Sequence, residues 1–87
     1  MDKILKDKLE EKILDTLSQK NEIKKLTQSI SDKDDSKSFV LGIIVGRLYN
    51  SFFYQSKRNL NREPTDDELF EFIELVKSKR SNFESLW

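Results

Sequence analysis

The sequence predicts an all-α domain, and three observations carry that prediction. Apolar residues recur at three- and four-residue spacings along most of the chain. Two Gly and one Pro in 87 residues are too few for the tight turns of an all-β domain. Thr65 and Glu68 have the spacing of a capping box, a helix-start signal, directly ahead of one apolar stripe. The length suits a single domain with one core. A chain this short buries only about 60–65% of its unfolded surface, which makes a lone monomer marginally stable.

The first helix is expected over residues 3–30. Leu5, Leu9, Ile13 and Leu17 stand four apart, a stripe that drifts round a helix of 3.6 residues per turn. Ile23, Leu26 and Ile30 then follow the alternating spacing of a coiled-coil seam. These two sets do not share one face. The helix therefore either breaks near 18–22, with Asn21 as a cap, or stays long and winds around its partner.

Residues 31–38 read as a polar loop. Asp32, Asp34 and Ser36 fall on alternate positions of a calcium loop, but Lys37 stands where Gly is needed and Ile43 where a bidentate Glu is needed. Calcium is rejected on those two departures, and Ser36 or Ser38 is read as the cap of the next helix.

That second helix is expected over 39–60. Leu41, Val45, Leu48, Tyr49, Phe52 and Phe53 form a broad apolar face, with Gly42 and Gly46 on its margin. Val40, Ile43 and Ile44 make the opposite side apolar as well, so the helix needs cover nearly all round. A homodimer supplies that cover more easily than two other helices of the same small chain. The candidate helix–helix interface is therefore Gly42, Val45, Gly46, Tyr49, Phe52 and Phe53, since glycines let a partner backbone come close.

After a loop at 61–65, a third helix is expected over 66–83, with Leu69, Phe72, Ile73, Val76 and Phe83 on one stripe. The terminal Leu86-Trp87 reads as a docked apolar end. The expected architecture is a small bundle of three helices, or four if the first breaks, assembled as a homodimer.

Composition excludes several functions. Without Cys there is neither a disulfide framework nor a thiolate metal site, and without His the usual general base and commonest metal ligand are missing. Sixteen Lys+Arg balance sixteen Asp+Glu, which removes any global pull toward nucleic acid or anionic lipid. The opening Met-Asp-Lys-Ile-Leu-Lys-Asp-Lys lacks the apolar run of a signal peptide, which makes the cytoplasm the default. The least polar stretch, 38–56, carries Arg47 near its middle. That charge costs about 2.5–3.5 kcal/mol on insertion scales, so no membrane span is expected.

Charge is nevertheless segregated. Residues 47–62 hold Arg47, Lys57, Arg58 and Arg62 with no acid, while 63–75 hold six acids and no base. Bases at a helix end and acids at a helix start answer the helix dipole. The same four cations are the candidate contacts for an anionic partner.

Arg62-Glu63-Pro64-Thr65-Asp66-Asp67-Glu68-Leu69 resembles the opening of a helix-turn-helix segment in bacterial sigma factors. The resemblance implies a short helix followed by a turn and a recognition helix. Here Phe70 to Arg80 reads as continuous helix, so the element that would read DNA is missing. What is shared is a way of starting a helix.

Asp67, Glu71 and Glu74 share a helix face, but no nucleophile, phosphate loop or triad accompanies them. No enzyme activity, cofactor or metal is expected. The expectation is a non-catalytic helical interaction module. The alternative is a small nucleic-acid-binding transcriptional regulator that uses the basic end of the second helix.

Overall fold

The computed structural model describes residues 1–30 and 36–84, and among them the secondary structure is entirely helical. Asp2 caps the first helix, α1 (Lys3–Ser18): its Oδ1 accepts the backbone N–H groups of Ile4 at 2.9 Å and Leu5 at 3.2 Å. Leu5, Leu9 and Ile13 are buried along α1, and Thr16 rather than Leu17 takes the next inward position. Leu17 is left partly exposed because its four-residue spacing has drifted off the buried side by then.

The chain breaks at Gln19 and continues as α2 (Lys20–Ile30). Asn21 lies inside the first turn of α2 and does not cap it. α2 buries Ile23 and Thr27, while Leu26 and Ile30 are exposed. The expected seam of Ile23, Leu26 and Ile30 is thus replaced by a four-residue stripe that continues the habit of α1.

The longest helix, α3 (Ser36–Leu60), has 25 residues. It begins earlier than the expected 39, which puts Ser38 inside its first turn instead of at the cap. Its buried spine is Val40, Ile44, Leu48, Phe52 and Ser56, again four apart. Leu41, Val45 and Phe53 flank this spine and are only partly buried.

The last leg is two helices in place of the expected single one over 66–83: α4 (Asp66–Ser78) and the short α5 (Arg80–Glu84). They are divided at Lys79, whose backbone (φ −102°, ψ 1°) matches that of Gln19 (φ −101°, ψ 6°). Each break follows a serine whose hydroxyl donates to the carbonyl three residues back, Ser18 to Asp15 and Ser78 to Leu75, both at 2.6 Å. Such bonds compete with the helix ladder and bend it. Thr27 and Ser29 make similar bonds within α2, so the device permits a break without dictating one.

The five helices of the described residues thus form three legs around one core of Leu5, Leu9, Ile13, Ile23, Val40, Ile44, Leu48, Phe52, Phe72 and Phe83. α3 is central: α1 and α2 pack along it in succession, and α5 closes against it. Phe72 anchors α4 by stacking on Phe52 with ring centroids 4.7 Å apart and planes within 7°. The molecule measures 41 × 21 × 21 Å, and its long dimension is set by α3, about 37 Å at 1.5 Å per residue. The apolar girth of α3 is therefore mostly covered by its own chain. That cover makes the girth a weaker argument for a second copy than it is in the sequence.

Candidate helix-docking surface

One side of α3 remains open. Gly42 and Gly46 are exposed, and a Cβ built on either would meet no atom within 4 Å. Next to them on α3, Leu41 and Val45 form one wall of an apolar groove of about 290 Å³. Phe72, Ile73 and Val76 of α4 form the other wall, Phe83 of α5 contributes at one end, and Lys77 and Arg80 stand on the rim. Tyr49 is exposed beside it and edge-on to Phe53 at 4.9 Å.

The candidate interface residues therefore separate into two groups. Gly42, Val45, Gly46, Tyr49 and Phe53 lie on one side of α3 with at least part of each accessible. Phe52 does not join them: it is fully buried between α3 and α4, so it supports the surface from beneath and is out of a partner's reach. Ile73, expected in the core stripe of the last helix, is 43% exposed and belongs to the groove. The sequence hides this because Ile73 lies only one position from Phe72, close enough in angle to count as the same stripe.

The four candidate cations are drawn to different neighbours. Arg47 Nη2 donates to Gln19 Oε1 at 2.6 Å, bracing the break between α1 and α2. Arg58 Nη1 donates to the Tyr54 hydroxyl at 2.9 Å. Lys57 pairs with Glu63 at 3.8 Å. Arg62 grips Glu68 through two nitrogens, Nη1 to Oε1 at 2.7 Å and Nη2 to Oε2 at 3.2 Å. Arg47 and Lys57, with Lys12 of α1, still border one open concavity of about 580 Å³ that also exposes Tyr54.

The turn that positions Arg62 is closely built. Asn61 takes the left-handed conformation (φ 57°) that ends α3, and its N–H donates to the Lys57 carbonyl at 3.1 Å. The buried Ser56 hydroxyl donates to the Arg62 carbonyl at 2.8 Å. Glu68 accepts the Thr65 backbone N–H at 2.9 Å, and the Thr65 hydroxyl accepts that of Glu68 at 3.2 Å, which completes the capping box. The Arg62 guanidinium first, and the Thr65 N–H second, hold the Glu68 carboxyl down at about 2.

Among the described residues there is no cluster of three or more acids, His or Cys that could hold a metal ion. Nor is any described helix long and apolar enough to cross a membrane. The calcium-like positions Asp32 and Asp34, and the apolar end Leu86-Trp87, lie outside the described residues. Compared with protein-family models, curated proteins and solved structures, the chain matches none.

Proposed function

We propose that the protein is a non-catalytic helical interaction module that receives a helix on the open side of α3, and that it self-associates as a homodimer. The observation that carries this reading is the pair Gly42 and Gly46, exposed in mid-helix with nothing against them. Each glycine costs a helix about 1 kcal/mol relative to alanine. Among the described residues nothing lies within 4 Å of a Cβ at either position to offset that cost, whereas a partner backbone laid across the two glycines would. The adjoining apolar groove and the exposed Tyr49 offer that partner apolar surface and an aromatic anchor.

The test separates folding from assembly. At a dilution where the parent is monomeric, Gly46→Leu should leave the helix content and melting temperature of the chain unreduced, because the space around Gly46 is open. In light scattering after gel filtration across a dilution series, it should abolish the dimer formed by the parent chain. A variant that assembles like the parent would remove the glycine face from consideration.

A second reading has one observation in its favour: Lys12, Arg47 and Lys57 border the same concavity as Tyr54, a cationic surface with an aromatic beside it. On this reading the protein is a small nucleic-acid-binding regulator. Binding of a single-stranded oligonucleotide should then weaken steeply with salt and with Arg58→Ala, since Arg58 adds a cation beside the concavity and holds the Tyr54 hydroxyl at 2.9 Å. Salt-insensitive or absent binding leaves the interaction module alone.

A further inference from the structure

The outer stripe of α4, like that of α2 with Leu26 and Ile30, leaves large apolar side chains exposed, but on α4 they lie between charges of opposite sign. Phe70 is 64% exposed and Ile73 43% exposed, three residues apart, on a helix whose inner side is already packed. Asp66 lies four residues before Phe70 and Lys77 four residues after Ile73, so the stripe has the four-three-four spacing of a coiled-coil seam. An acid opens it, two large apolar side chains fill it and a base closes it.

That order is self-complementary under a two-fold axis. In an antiparallel pair of such helices, the axis passes midway between Phe70 and Ile73. Each Phe70 then faces the partner's Ile73, and each Asp66 faces the partner's Lys77. Both matches occur twice by symmetry, as an isologous interface requires. A parallel pairing would instead set Asp66 against the partner's Asp66 and Lys77 against the partner's Lys77.

We propose that a second copy of this chain docks along Asp66, Phe70, Ile73 and Lys77 of α4, antiparallel and two-fold symmetric. The proposal rests on the reading of this protein as a self-associating module and names the surface and register of the copy. Ile73 and Lys77 also line the groove against α3, so the seam is continuous with the docking surface already described. The apolar pairs supply the attraction, and the charge pairs select the direction. Asp67 and Glu74 flank the seam on one side and approach their counterparts across the axis, and Glu74 pairs loosely with Lys77 of its own helix at 3.5 Å, an exposed contact that the partner's Asp66 would share. Their repulsion, and the shortness of a seam on one 13-residue helix, put the dimer in the weak, transient class.

The experiment is sedimentation equilibrium of the full chain at up to about 1 mM, comparing the parent with Asp66→Lys, Lys77→Asp and the double exchange. Each single exchange sets like charges opposite each other twice and should weaken dimerisation about tenfold or more. The double exchange should restore it. Restoration could not come from a mended fold, because the double variant carries both unfavourable charges against the helix dipole. Single exchanges without effect, or a double exchange as weak as either single one, would overturn the seam. If Gly46→Leu abolishes the dimer and the charge exchanges are silent, the seam falls and the glycine face stands. If both act, the seam stands as one part of an interface that also covers the glycines. If Gly46→Leu is silent and the charge exchanges act, the seam stands and the glycine face falls. A parent chain that stays monomeric throughout the range overturns the seam and the proposed self-association together.

Discussion

The Glu68 carboxylate accepts the Thr65 backbone N–H at 2.9 Å while it holds both nitrogens of the Arg62 fork. Its side chain is only 9% exposed, so the charge is sustained by these partners and hardly by water. The hydrogen bonds to Arg62 and to Thr65 lower its folded value from 4.5 to about 2. A lowered carboxylate stabilises the fold above its unfolded value and loses that contribution as pH falls through the folded one. The urea midpoint should therefore decline as pH drops from about 5 to 2, and Glu68→Gln should flatten that decline. At neutral pH, Glu68→Ala should cost about 1–2 kcal/mol, since it removes half of the capping box and leaves Arg62 without its partner. Half of this corner is legible in the sequence, because Thr65 and Glu68 are three apart and a capping box is a local device. The Arg62 fork is not legible. It depends on the left-handed turn at Asn61 and on the Ser56 hydroxyl, which together fold six residues of chain back on themselves.

At the scale of one helix, α3 carries two conflicting signals. Its buried spine of Val40, Ile44, Leu48 and Phe52 steps by four, and each member is fully buried. The sequence face of Leu41, Val45, Leu48, Tyr49, Phe52 and Phe53 captures only the second half of that spine. A helix apolar nearly all round has no unique inward side until its neighbours are placed, and α2 claims the side that holds Val40 and Ile44. Gly42 and Gly46 lie where no neighbour reaches, so Gly42→Ala should raise the stability of the isolated chain by about 1 kcal/mol, read from thermal unfolding. An unchanged or lowered stability would mean that this surface is already in contact in the measured species. The breaks at Gln19 and Lys79 show the limit of reading boundaries from composition. A polar stretch after a drifting stripe points to the first. The second has neither Gly nor Pro nor a change of charge, only a serine bonding backwards at Ser78.

For the whole molecule, the helical class follows from spacing alone, because periodicity is local and 87 residues offer few alternatives. The arrangement into three legs, two of them broken, does not follow, since it depends on which sides of α3 its neighbours cover. The groove of Leu41, Val45, Phe72, Ile73 and Val76 is likewise illegible, being made by two legs that only the fold brings side by side.

The two breaks have a bearing on how the chain opens. Gln19 is tied to Arg47 midway along α3, and Lys79 borders a surface shared with Leu14 and Leu17 near the end of α1. The joints of both outer legs therefore sit toward one level of the bundle, while α3 runs through that level without interruption. On one side, the second half of α3 packs along the 16 residues of α1 and meets the 13 of α4 through Phe72 stacked on Phe52. On the other, its first half is held by the 11 residues of α2 and the 5 of α5, both shorter than the roughly 12–15 that sustain a helix alone. Amide hydrogens of α2, α5 and the first turns of α3 should exchange well before those of α1, α4 and the rest of α3, in hydrogen–deuterium exchange at neutral pH. Uniform protection along all three legs would show instead that the joints carry load as well as the helices do. An uncoupled half of this kind gives the molecule a soft end beside a firm one, and the open glycines at 42 and 46 lie on the soft end.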